Sequence, residues 1–107
     1  MGLFRRRRGS GAEAPDRRQA AAAAAHLSEF AQSRKGVEAY IEPVTTLSGT
    51  TVVFVADTGE WTRRRVADPA AARALARKLG IPVYEAALMG YPKRMREWTR
   101  RQAGEGS

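Results

Sequence analysis

The chain has 107 residues, with 19 basic against 11 acidic side chains and a net charge of +8. That length allows one domain at most. It contains no cysteine, which excludes disulfides, thiolate metal sites and thiol catalysis. No apolar run approaches the roughly 20 residues that span a bilayer, so a soluble, cytoplasmic protein with no membrane partner is expected.

The excess charge is uneven. Residues 1–15 hold four arginines against one glutamate, and residues 91–107 hold five basic against two acidic groups. The centre, residues 16–90, is nearly balanced, with ten basic and eight acidic groups. Basic ends of this kind attract polyanions, although a short arginine run also serves as a solubilising tail.

Residues 1–14 read as a disordered basic tail that carries Arg5, Arg6, Arg7 and Arg8, with Gly and Ser breaking any helix. A single α+β domain is expected over residues 15–102. Its first helix is predicted from Pro15 to Lys35, with Asp16 as N-cap and Gly36 as the stop. Ala20, Ala23, Ala24, Leu27, Phe30 and Ala31 fall on one helical stripe, with the large side chains confined to its last two turns. His26, the only histidine, has no evident chemical partner.

A first strand is predicted over residues 37–44, with Val37, Ala39 and Ile41 on one face and Glu38, Tyr40 and Glu42 on the other. The two glutamates are expected to pair with nearby arginines rather than to bind metal. Thr50 to Val66 then reads as a hairpin around Asp57-Thr58-Gly59-Glu60. Two-residue and three-residue loops both suit those residues and differ by one position in register. In either case Trp61, Arg63 and Arg65 share one strand face, which is expected to look toward solvent.

Asp68 and Pro69 open a second helix and Gly80 closes it, with Ala72, Leu75, Ala76 and Leu79 as its core stripe. Residues 81–84 read as a short fourth strand, placed by a right-handed crossover parallel to the third. A last, basic helix is predicted from Lys93 to Arg101, followed by a frayed end over residues 103–107. The expected fold is therefore an N-terminal helix, a three-stranded antiparallel meander, a helix, a fourth strand parallel to the third and a C-terminal basic helix.

Three stretches carry a resemblance: Gly59-Glu60-Trp61-Thr62-Arg63-Arg64, Gly80-Ile81-Pro82-Val83-Tyr84 and Gly90-Tyr91-Pro92-Lys93-Arg94-Met95. Between about Gly36 and Met95 the chain resembles a set of small actinobacterial proteins without an established function. Members of that set are sometimes labelled oxidoreductases. This chain has no G-x-G-x-x-G after a strand, no P-loop and no cysteine pair to support that activity. The element order also resembles two folds. The first five elements are similar to double-stranded-RNA-binding domains, but Pro69-Ala70-Ala71-Ala72-Arg73 stands where those carry their lysine cluster. The first six resemble the restriction-endonuclease-like core, but Thr50-Thr51 and Thr62-Arg63-Arg64 stand where its metal-binding carboxylates and lysine belong. That likeness implies an inactive copy.

The function expected from these residues is a non-enzymatic basic module that contacts RNA or DNA backbone, with no metal and no cofactor. Its candidate contacts are Arg5, Arg6, Arg7, Arg8, Trp61, Arg63, Arg65, Lys93, Arg94, Arg100 and Arg101. The alternative is a small protein adaptor that uses the Trp61 and Tyr40 face, or the last helix, as its anchor.

Overall fold

A computed structural model describes residues 14–105. The elements run α1 (Arg17–Ser33), β1 (Glu38–Ile41), β2 (Thr50–Val55), β3 (Trp61–Val66), α2 (Pro69–Leu79), β4 (Val83–Glu85), α3 (Ala86–Met89) and α4 (Lys93–Glu105). The expected tail with Arg5, Arg6, Arg7 and Arg8 lies outside the described residues.

Local chemistry explains the helix ends. Asp16 accepts the Gln19 amide at 2.8 Å while the Gln19 side chain accepts the Asp16 amide at 2.9 Å, a reciprocal cap on α1. Asp68 caps α2 through the Ala71 amide, Pro69 occupies its first turn, and Gly80 ends it at φ 71°. The last helix is longer than expected and continues past Arg101 to Glu105.

The hairpin takes the three-residue loop. Ala56 and Glu60 form the closing pair, and Gly59 follows the turn at φ 95°. β2 pairs antiparallel with β3, with Val55 opposite Trp61, and with β1, with Val55 opposite Glu38.

β4 corrects the expected topology. The sheet order is β3-β2-β1-β4, and β4 pairs parallel with β1 rather than with β3. The two free edges explain the choice. The outer edge of β3 carries the exposed run Arg63, Arg64 and Arg65, which offers little apolar surface to a new strand. At β1, Val83 meets Ala39 and Tyr84 meets Tyr40, with ring centres 5.4 Å apart. The crossover through α2 therefore passes beneath two strands before β4 pairs.

The sheet is covered on both faces. On one side Leu27 and Phe30 of α1 and Ala72 and Ala76 of α2 pack on Val37, Ala39, Ile41, Val52, Phe54 and Val66. On the other, Met95 of α4 and Ala86 of α3 pack with Tyr40, Val53 and Val55, joined by the half-buried Trp61, Tyr84 and Tyr91. β2 is buried along its whole length because it lies between the two layers and has a partner at each edge.

Candidate functional site

Strand alternation sends Trp61, Arg63 and Arg65 to the α4 side of the sheet, opposite Val55, Val53 and Thr51. Trp61 corrects one expectation. It is half-buried against the α4 layer rather than fully presented to solvent, and its indole N–H donates to the Thr99 hydroxyl at 2.8 Å. Thr99 in turn donates to the Met95 carbonyl one turn earlier in α4. The side chain that the strand pattern assigns to solvent becomes the anchor for a helix nearly forty positions away.

Arg63 lies over the Trp61 ring, with its guanidinium carbon 5.2 Å from the ring centre. It also forks onto Glu42, Nε to Oε1 at 2.8 Å and Nη2 to Oε2 at 2.9 Å. Glu42 accepts two further bonds, from the Thr51 hydroxyl and the Tyr91 hydroxyl. Burial alone would raise the Glu42 pKa, but the bonds from Arg63, Thr51 and Tyr91 outweigh it and hold the carboxyl below its ordinary range. Burial, then the bond to Glu42, pushes the Tyr91 phenol up.

A second cluster lies nearer the hairpin loop. Arg94 donates to Glu38 at 2.7 Å and to the Ala56 carbonyl at 2.9 Å, and the Tyr40 hydroxyl donates to the same Glu38 oxygen at 2.9 Å. Burial works against the Glu38 charge, yet Arg94 and Tyr40 hold its pKa below the usual value. Burial and the bond to Glu38 push Tyr40 up to about 12. Both glutamates singled out in the sequence thus meet arginines, one from β3 and one from α4.

These contacts sort the candidate residues. Arg63 and Arg94 are committed to carboxylates. Arg101 donates to the Thr58 carbonyl in the hairpin loop at 3.3 Å. Lys93 is 81% exposed and only loosely opposite Glu97, at 3.9 Å. Arg65 and Arg100 are exposed, and among the described residues neither has a carboxylate partner. The same is true of Arg96, which is not among the residues expected from sequence. Its signal was the four-residue spacing from Arg100, which places both on one side of a helix.

Arg96 and Arg100 flank a groove of about 340 Å³ along α4, whose apolar surface comes from Tyr91, Met95 and Ala103. A second groove, of about 480 Å³, runs on the opposite side of the sheet between the alanine-rich start of α1 and Arg64 and Arg65 on β3, so Arg65, on a free edge strand, borders the α1 side although its strand position faces α4. There His26 has a partner after all: its Nε2 is 2.8 Å from the Thr62 hydroxyl, a contact that ties α1 to β3. Among the described residues, no three or more histidine or carboxylate side chains gather into a metal-binding group. Nor is any described helix long and apolar enough to cross a membrane. No family model, curated protein or solved structure matches the chain.

Proposed function

We propose that this chain is a non-enzymatic basic module that contacts the phosphate backbone of RNA or DNA through the face where β3 and α4 meet. The observation that carries the reading is the Trp61–Thr99 hydrogen bond, which fastens α4 over the β3 face. It brings Arg96 and Arg100, which flank one groove, to the β3 side of the helix, and neither has an acidic partner among the described residues. Unneutralised cations on one face raise the local potential and draw polyphosphate to it.

The test is salt-dependent binding of a labelled oligonucleotide by the full chain. Neutralising one phosphate-binding cation should lower the slope of log K against log salt by about 0.7–0.9. Arg96→Gln and Arg100→Gln together are therefore expected to reduce it by about 1.4–1.8. An unchanged slope in a folded double variant removes this face from the interface.

One observation favours a second reading, a protein adaptor. Val44, Leu47, Leu88 and Met89 are exposed apolar side chains, Leu47 at 88% and Leu88 at 80%. Val44 borders the same groove as Ala87 of α3, so the β1–β2 connection and α3 adjoin at one end of the sheet. Failure to bind any nucleic acid would shift the assignment to that surface.

A further inference from the structure

We infer that Arg63 is a stacking platform for an unpaired base, so that the β3–α4 face takes single-stranded rather than duplex nucleic acid. The inference rests on the phosphate-binding reading of the same face and names the form of nucleic acid bound there.

Arg63 is poorly suited to bind phosphate. Its charge is matched by Glu42 through two short bonds, and a phosphate would have to displace that carboxylate. What the fork leaves free is geometry. A bidentate guanidinium–carboxylate pair uses the edges of the planar group and not its faces. One side of Arg63 lies over the Trp61 ring, and the side chain is still 43% exposed. The group is also held in place before any ligand arrives. Glu42 is itself fixed by the Thr51 and Tyr91 hydroxyls, so little rotamer freedom is left to lose on binding.

The surroundings fit a single strand. The Tyr91 hydroxyl and Nη2 of Arg63 converge on the same oxygen of Glu42, so the groove that begins at Tyr91 lies one carboxylate away from the platform. Arg96 and Arg100 flank the groove from the helix side. A strand whose bases are free can place one base on the Arg63 plane and its phosphates against Arg96 and Arg100. A duplex keeps its base faces stacked inside and cannot use the platform.

The full chain is titrated with a mixed-sequence single-stranded oligonucleotide, the same sequence as a duplex, and an abasic single strand of equal length and charge. Single-strand affinity should exceed that of the duplex and of the abasic strand by roughly tenfold or more, the range expected for base stacking. Arg63→Lys keeps the charge and removes the plane. It should lose roughly tenfold for the single strand, leave duplex binding unchanged and leave the salt slope unchanged. The abasic comparison needs no variant, so it can overturn the platform even if Arg63→Lys fails to fold. Equal affinity for the normal and abasic strands overturns the platform while leaving phosphate binding intact. Tight binding of the single strand by a folded Arg63→Lys chain overturns it as well. Binding of none of the three ligands removes the phosphate reading itself, and the platform with it.

Discussion

Arg94 donates through Nε to the Ala56 carbonyl and through Nη2 to Glu38, and both acceptors belong to the sheet side of the interface. Its side chain is a tether for α4 rather than a free cation. Arg94→Ala leaves a half-buried carboxylate with one charged donor fewer and a backbone carbonyl with none from this side chain. It is expected to lower the unfolding free energy by about 1–3 kcal/mol, read from the urea midpoint at constant m. Arg94→Lys should recover only part of that stability, because one ammonium does not reproduce the two-armed grip. On the proposed phosphate-binding reading, nucleic-acid affinity of the folded variants should stay near that of the parent chain. Arg63 and Arg65 make the complementary point. They share a strand face, yet Glu42 occupies the first and no described carboxylate occupies the second.

At the scale of elements, α4 is seated on the hairpin loop. Gly59 is buried there at φ 95°, and a Cβ at that position would overlap the Arg94 carbonyl and lie 2.9 Å from the Cβ of Trp98. Two penalties therefore coincide, a backbone conformation that side chains resist and a close approach of two backbones. Gly59→Ala is expected to cost more than about 1 kcal/mol and to loosen the first turns of α4, seen as a change in tryptophan emission before global unfolding. Gly80 is the comparison. Its φ is 71°, but there is open space where a Cβ would sit. Alanine there should disturb only the cap conformation, and α4 should stay in place. Equal responses at the two glycines would mean that the hairpin loop does not seat α4.

At the scale of the whole molecule, the α4 layer is joined to the sheet by carboxylates and phenols whose ionisation is linked to folding. Glu38 and Glu42 have pKa values below the ordinary 4.5. Their contribution is therefore present above that value and is lost as the pH falls below it. Tyr40 is raised to about 12 from 10.0. The neutral phenol's contribution is complete below pH 10.0 and is lost as the pH rises toward about 12. The melting temperature is expected to be flat across neutral pH and to fall on both sides, with Trp61 and Trp98 emission reporting release of α4 at the acid edge. In Glu42→Gln the acid-side fall should shrink. An acid edge unchanged by both Glu42→Gln and Glu38→Gln would place the linkage elsewhere.

Much of the fold was legible in the sequence because it is set by neighbours in the chain. Asp16, Asp68, Pro69 and Gly80 cap helices through contacts within a few positions, and Val37, Ala39 and Ile41 face one core by alternation alone. The same logic separated Glu38, Tyr40 and Glu42 onto the other face. What depended on distant partners was decided only by the tertiary structure. β4 joined β1 because an apolar edge was available there and the outer edge of β3 was lined with arginines. The site was divided in the same way. Composition identified the arginines, but whether each one holds a carboxylate or faces solvent depends on pairings such as Arg94–Glu38, made by residues 56 positions apart. Trp61 followed the same rule: its strand position fixed which face it occupies, and α4, arriving from the far end of the chain, determined how much of it remains exposed.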